Sequence, residues 1–165
     1  MSNPLLIEFK TSFESAPFSN IKPEHFIPAI KKTISIALNE IDAITKQEEI
    51  PSFKNSLESL EYCGKLIGRN SSLLFNLNSA ETSHDLQKIT QEAAPLLTQF
   101  QNDIRLNHSL FERIKYVYEN EDKSLLTAEQ ITLLQKEYKG FIRNGALLNI
   151  DKKINCASWT LNLLN

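Results

Sequence analysis

Three histidines are the residues from which a metal site would be built, and their spacing does not form one. A zinc site of the His-Glu-x-x-His type needs two histidines one helical turn apart, so that both imidazoles reach one ion. His25, His84 and His108 each lack a histidine four residues before or after them. We interpret His84 and His108 as solvated residues near helix ends, and His25 as a packing residue of the turn Pro-Glu-His-Phe. A cluster of distant histidines is the weaker alternative, and we predict no metal ligand.

The cysteines offer little nucleophilic chemistry. Cys63 would act as a nucleophile only beside a base that lowers the pKa of its thiol, and its neighbours Tyr62 and Gly64 supply none. We therefore predict a buried, inert thiol at Cys63. Cys156 lies in a stretch that no pattern places, and two cysteines do not make a disulfide framework.

Acid–base and anion-binding chemistry is equally sparse. The carboxylate pairs Glu48–Glu49 and Glu121–Asp122 fall in polar connections, where we predict solvated loops rather than a cleft that raises one pKa. No Gly-x-Gly-x-x-Gly or phosphate-loop pattern is present. The chain has four arginines at helix-like positions, predicted to be partners of helix glutamates: Arg69, Arg105, Arg113 and Arg143. We thus predict no catalytic, cofactor-binding or metal-ligating residue.

Composition bounds the class of protein. The chain has 165 residues, of which 41% are hydrophobic and 23% charged, as in an ordinary soluble domain with its own core. Its net charge of −2 gives no attraction to nucleic acid or anionic lipid. No apolar run approaches the roughly 18 residues that span a bilayer, and no basic, apolar leader opens the chain. We expect a cytoplasmic protein that binds neither nucleic acid nor membrane.

One stretch, residues 52–80, organises the predicted fold as a single long helix. Ser52 occupies the N-cap position directly after Pro51. Gly64 and Ser71 are small residues within its apolar stripe, where a neighbouring helix can approach closely. The stripe follows alternating steps of four and three and consists of Phe53, Leu57, Leu60, Gly64, Ile67, Ser71 and Leu74.

Four further helices surround it in the prediction. The first runs from Pro28 to near Lys46, and another from His84 to Leu106 with a kink at Pro95. A shorter helix carries Leu110, Ile114, Val117 and Tyr118. The last opens at a Thr127–Gln130 capping box and stops at Gly145.

The ends of the chain are less regular. Residues 1–22 are predicted to drape over the helices and to be pinned by their aromatic side chains. Residues 149–165 match no clear pattern. We predict an all-α fold, a helical bundle of about five to six helices with an irregular N-terminal segment, forming a single domain over residues 1–165.

Six collinear blocks between residues 4 and 148 resemble the N-terminal region of the M3 family of zinc metallopeptidases, the thimet oligopeptidase group. The likeness is greatest to its bacterial peptidyl-dipeptidase and oligopeptidase A branch. The blocks are PFSNIKPEHFIPAI (17–30), PSFKNSLESLE (51–61), GKLIGRNSSLLFNLNSAETS (64–83), LQKITQEAAPLL (86–97), NHSLFERIKYVY (107–118) and LTAEQITLLQKEYKGFIRNGALL (126–148).

The resemblance implies one lobe of a large, helical, two-lobed enzyme that cleaves short peptides in a deep channel. In that family a His-Glu-x-x-His motif and a downstream glutamate hold zinc, and the motif glutamate is the general base. These residues belong to the C-terminal half of the family, so none is carried over to residues 1–165. The resemblance implies a channel-covering part that is inactive by itself. Its expected partners are a C-terminal catalytic domain, short peptides, and a second copy bound through an exposed domain interface.

Two hypotheses stay open on these grounds. One is the peptidase part just described, with peptidyl-dipeptidase and endopeptidase action both possible. The other is a stand-alone helical module that binds a protein or peptide without catalysis. The tail NIDKKINCASWTLNLLN departs from the family pattern, as a truncated, degraded or frame-altered product would.

Overall fold

A computed structural model of the chain describes residues 3–148, and over that range the fold is all-α, without a β-strand. This confirms the predicted fold class. Short 3₁₀ turns occur in the N-terminal segment and before the last helix. The helices are α1 (Phe26–Lys46), a π-helix (Phe53–Glu58), α2 (Ser59–Tyr62), α3 (Lys65–Ala80), α4 (His84–Arg105), α5 (His108–Asn120) and α6 (Ala128–Arg143). Among the described residues, no helix is both long and apolar enough to cross a bilayer.

Local capping chemistry sets several helix ends as predicted. The Ser52 hydroxyl accepts a hydrogen bond from the Asn55 amide at 3.2 Å, and the Asn55 side chain accepts one from the Ser52 amide at 2.9 Å. Thr127 and Gln130 make the same reciprocal pair at the start of α6. α6 ends in a Schellman motif, in which Gly145 has a φ of 89° and the Ala146 amide donates to the Phe141 carbonyl.

The long helix predicted over residues 52–80 is wrong in one respect, because the chain breaks it at Gly64. Gly64 has a φ of 70°, in the left-handed region, and Cys63 before it is extended. Glycine adopts that φ without a Cβ penalty, so a new helix starts directly after it. The apolar stripe nevertheless continues across the break, since Ile67 and Leu74 are buried in α3.

The N-terminal segment is pinned differently from the prediction. Phe13 and Phe18 are exposed, whereas Leu5 is completely buried. An Asn3 side chain that accepts a hydrogen bond from the Leu5 amide at 3.0 Å shapes the turn that presents this leucine. The segment is therefore anchored by an aliphatic side chain near its start and not by Phe13 or Phe18.

The described residues fall into two compact units. Unit 1 comprises residues 3–38 and 64–97, and unit 2 comprises residues 39–63 and 98–148, so that α1 and α4 each contribute to both. An exposed ion pair joins Lys31 of α1 and Glu92 of α4 within unit 1, at 3.6 Å. The buried core of unit 1 is formed by Leu5, Phe26, Ala29, Ile30, Leu74 and Ala93.

Unit 2 is built around α5, which packs on α6 and on the π-helix. Its core contains stacked aromatic rings. Phe111 stacks on Tyr138 and on Phe141, each with ring centroids 6.1 Å apart, and Tyr118 stacks on Tyr138 at 4.0 Å. The apolar residues predicted for α5 are confirmed here, since Ile114 and Val117 are buried, and Leu134 and Phe141 of α6 are buried as well. The prediction of a single domain over residues 1–165 stays a prediction.

Candidate functional site

Unit 1 holds its N-terminal segment through two polar side chains of α3, which we call the N-terminal clamp. Arg69 Nη2 donates hydrogen bonds to the carbonyl oxygens of Leu5 at 2.8 Å and Ile7 at 3.1 Å. The neighbouring Asn70 Nδ2 donates to the same Leu5 oxygen at 3.1 Å. The Arg69 guanidinium also lies 4.0 Å from the centre of the Phe9 ring. The clamp thus binds one aromatic side chain and the backbone of a segment that passes from a 3₁₀ turn (Pro4–Leu6) into extended chain at Ile7.

Burial changes the electrostatics of this clamp. Removal from water lowers the pKa of the Arg69 guanidinium, and the nearby Glu8 charge opposes that shift. Arginine stays charged under ordinary conditions in any case, so the carbonyl oxygens around it are the groups that compensate its lost hydration.

Unit 2 has a buried arginine, Arg113 of α5, which holds the connection from α1 to the π-helix; we call this arrangement the loop clamp. Arg113 Nη1 donates to the Gln47 carbonyl oxygen at 3.2 Å, and Nη2 donates to the Asn55 Oδ1 atom at 3.1 Å. Both nitrogens also lie 3.4 Å from the Glu49 carbonyl oxygen. Burial lowers the pKa of Arg113, and Glu49 opposes the shift. One side chain therefore joins three points of the connection.

Asn55 connects the other residues of the loop clamp through its hydrogen bonds. Its Oδ1 atom accepts from the Ser52 amide, the Ser56 hydroxyl and Arg113, while its Nδ2 group donates to the Ile50 carbonyl at 2.9 Å. Gln47 Nε2 donates to the Asn55 carbonyl oxygen at 2.8 Å. A side chain bonded this completely keeps one orientation, which positions the first turn of the π-helix.

The prediction that the arginines pair with helix glutamates is right for one of them and wrong for two. Arg105 Nη1 lies 2.6 Å from Glu137 Oε2, linking α4 to α6 within unit 2. Arg69, which is partly buried, and Arg113, which is buried, instead bond backbone carbonyl oxygens that lie outside the α-helices. Arg143 is exposed.

The histidines lie where the sequence places them. His84 and His108 are the first residues of α4 and α5, and both are exposed. His25 is partly buried, and its Nδ1 atom accepts a hydrogen bond from the Lys22 amide at 3.1 Å. Within residues 3–148, no three histidine, cysteine, aspartate or glutamate side chains converge as metal ligands. These residues therefore do not fit a zinc site.

Cys63 is half-buried at the break before α3 and carries a thiol of low reactivity. Its Sγ atom donates to the Ser59 carbonyl at 3.3 Å. Burial, and secondarily the charge of Glu40, raises the pKa of the thiol to about 11. The prediction of an inert thiol agrees with this environment, although the side chain is less buried than expected. Cys156 lies outside the described residues.

The two carboxylate pairs differ in their hydrogen bonding. Glu48 and Glu49 are exposed, as predicted. Glu121 is not simply solvated, because its Oε2 atom accepts a hydrogen bond from the Phe53 amide at 3.2 Å and so caps the π-helix. Asp122 accepts from the hydroxyl and the amide of Ser124, and both bonds lower the pKa of its carboxyl.

Sequence reasoning missed the polar residues that complete the two clamps. Asn70 occupies a buried position of α3 between Ile67 and Leu74, where a polar side chain interrupts an apolar stripe. Asn55 follows Ser52 by three residues, the spacing of a reciprocal cap. Both patterns indicate a buried polar role, although neither identifies the partner.

The chain is similar in sequence to two named kinds of bacterial peptidase. No protein-family model matches the chain. It is 30% identical to the dipeptidyl carboxypeptidase of Escherichia coli over 146 residues, which are 88% of this chain and 21% of that protein. The Salmonella typhimurium enzyme of the same name is 31% identical over 152 residues, 92% of this chain and 22% of that enzyme.

A second group of relatives matches the same part of the chain. Oligopeptidase A of Escherichia coli is 26% identical over 153 residues, 93% of this chain and 22% of that protein. The chain therefore spans about a fifth of the length of the curated relatives that it matches.

Proposed function

This chain is related in sequence to the N-terminal region of the M3 peptidases dipeptidyl carboxypeptidase and oligopeptidase A, and from that relation we propose that it is the helical, channel-covering part of a short-peptide hydrolase. The relation confirms the resemblance predicted from the six blocks. The observation that carries the proposal is the extent of the match, which includes 88% to 93% of this chain.

The proposal assigns chemistry and access to different parts of the relatives. Catalysis and zinc belong, in this proposal, to the four fifths of those proteins that the match leaves uncovered. The matched fifth supplies helices that wall the channel and admit short, flexible peptides while excluding folded chains. By itself the chain is then inactive. The cytoplasmic location stays a prediction.

A chimera tests the proposal directly. The matched region of the Escherichia coli dipeptidyl carboxypeptidase would be replaced by residues of this chain, and hydrolysis of a quenched short peptide would be measured. We expect a helical, active chimera that leaves a folded protein substrate uncut. A matched chimera with the glutamate of the peptidase's His-Glu-x-x-His motif replaced by glutamine checks that turnover comes from the peptidase portion. A well-folded chimera without peptide turnover would contradict the proposal.

Self-association is a second part of the proposal. Both units carry exposed apolar side chains, which a partner domain would cover. They include Phe13 and Phe18 in unit 1, and Ile50, Leu125 and Leu147 in unit 2. We expect the mass of the isolated chain, measured by light scattering, to rise with concentration. A constant monomer mass would count against this part, and stable capture of a defined peptide by a monomer would favour the stand-alone binding module instead.

A further inference from the structure

The long-range anchors of the N-terminal segment are concentrated in its first seven described residues, 3–9. Leu5 is completely buried in the core of unit 1. Asn3 Nδ2 donates to the His25 carbonyl oxygen at 2.7 Å. The carbonyls of Leu5 and Ile7 receive the hydrogen bonds of the N-terminal clamp, and Phe9 lies against Arg69. Residues 3–9 therefore contact the helices in the way a bound peptide contacts a receptor, through one buried side chain and its backbone.

The following residues are held locally. The hydrogen bonds of residues 11–20 join groups two to four positions apart, as in the contacts of Thr11 and Ser12 with Ser15. Ile21, which follows them, packs against the core of unit 1. Phe13 is fully exposed, and both it and Glu14 have positive φ values, 59° and 53°. Such a stretch has little buried surface to lose, so it moves at low cost when the anchors release.

The clamp itself is incompletely satisfied when the segment is bound. Arg69 Nε and Asn70 Oδ1 are buried without a hydrogen-bond partner from the described protein. A buried polar atom in that position destabilises the closed arrangement, whereas an open arrangement exposes both atoms to water. The balance between bound and released segment is correspondingly shifted towards release.

We propose that residues 3–9 are a separable segment, bound in cis to a peptide site formed by Arg69, Asn70 and the core of unit 1, and released while the helices remain folded. The ligand class of this site is an apolar peptide that forms a 3₁₀ turn at its leucine, as Pro4–Leu6 do, and becomes extended directly after that turn, as at Ile7. A leucine-sized side chain enters the core, two carbonyl oxygens meet the clamp, and an aromatic ring four residues later stacks on the guanidinium.

Hydrogen exchange on the full chain tests the release. The Leu5 and Leu6 amides, which donate to Asn3, report on the segment, and amides in the middle of α1 and α3 report on the helices. We expect the two segment amides to exchange faster than the helix amides. Arg69→Lys should accelerate them roughly tenfold further, because the forked pair of bonds is lost, and should leave the helix amides unchanged. The matched control is Arg143→Lys, at an exposed arginine. Segment and helix amides that exchange together, or no effect of Arg69→Lys, would overturn the proposal.

Displacement in trans provides a second measurement. The folded chain would be nicked at the exposed Phe13 and mixed with a labelled peptide of sequence MSNPLLIEFKTS, while helicity is followed by circular dichroism. We expect the labelled peptide to replace the nicked segment without loss of helix, and to bind more weakly to the Arg69→Lys chain. Loss of helix on departure of the segment would show that residues 3–9 are an integral part of the core, contrary to the proposal. Equal binding to both chains would contradict it as well.

Discussion

Arg69 is partly buried and Arg113 is buried, and both donate from a helix to backbone carbonyl oxygens, yet they hold different kinds of segment. Arg113 bonds three points of an internal connection, whose two ends continue into α1 and the π-helix. Arg69 bonds two carbonyls of a segment near the start of the described chain. The internal connection is joined directly to a helix at each end, whereas a stretch of short 3₁₀ turns, residues 10–25, separates residues 3–9 from α1.

Because of this difference, we expect removal of the arginine side chain to change stability by different amounts in the two units. Removing Arg113 leaves the Gln47 and Glu49 carbonyls and Asn55 Oδ1 without their donor. Removing Arg69 leaves acceptors on residues 3–9, the segment that we propose to be separable and able to become hydrated. The energetic effect of a buried arginine thus depends on whether its partners can leave.

The largest effect is expected from Arg113→Ala, which we predict to lower the free energy of unfolding by about 3 kcal/mol. The side chain is only 8% exposed, and its loss leaves the Gln47 and Glu49 carbonyls and Asn55 Oδ1 without their donor. Urea unfolding followed by circular dichroism measures the change. Arg143→Ala, at an exposed position, is the control and should change stability by less than about 0.5 kcal/mol.

A smaller effect is expected from Arg69→Ala, about 1–2 kcal/mol in the same measurement. The reason is that the Leu5 and Ile7 carbonyls regain water when the segment is released. A loss as large as that of Arg113→Ala would remove the contrast between the two clamps.

Replacing one glycine in each unit by alanine tests whether the backbone at that position requires glycine. Gly145→Ala in unit 2 should destabilise by about 1 kcal/mol, because its φ is 89° and an added Cβ would lie 2.8 Å from Leu148 Cδ1. Gly68→Ala in α3 of unit 1 should stabilise by about 0.5–1 kcal/mol, since beyond the adjacent residues and the neighbouring backbone of α3 no atom lies within 4 Å of the added Cβ. Thermal unfolding of both variants checks the opposite signs, and a shared sign would refute the explanation.

The smallest effect concerns Cys63, where the chain passes from unit 2 to unit 1. With its pKa raised to about 11 from 9.0, the folded thiol holds roughly 100-fold less thiolate at pH 8 than the unfolded one. The contribution of the protonated Cys63 thiol to the free energy of unfolding is complete below pH 9.0 and is lost as the pH rises through about 11. In a Cys156→Ser chain, alkylation by iodoacetamide at pH 8 should be correspondingly slower in buffer than in urea. Equal rates would mean that the thiol is not shielded.

Local signals in the sequence predicted much of the fold. The caps at Ser52 and Thr127 and the stop at Gly145 depend on residues within one turn of each other, so spacing alone identifies them. The break at Gly64 was hidden because the apolar stripe resumes in register at Ile67, and periodicity does not report a single left-handed residue.

The clamps could not be predicted for a different reason. Arg69 and Leu5 are 64 positions apart, and Arg113 and Gln47 are 66 apart. Their partners are backbone carbonyls, which every residue possesses, so residue type carries no information about the pairing. A buried asparagine such as Asn70 signals that a partner exists without naming it.

We propose that this chain shapes substrate access for a peptidase whose catalytic residues lie elsewhere. The most direct test is to assay the purified chain with a quenched short peptide in zinc-containing buffer, with and without a chelator. The account predicts no turnover in either condition and no stoichiometric zinc after dialysis. Turnover that the chelator abolishes, in a preparation free of other peptidases, would contradict it.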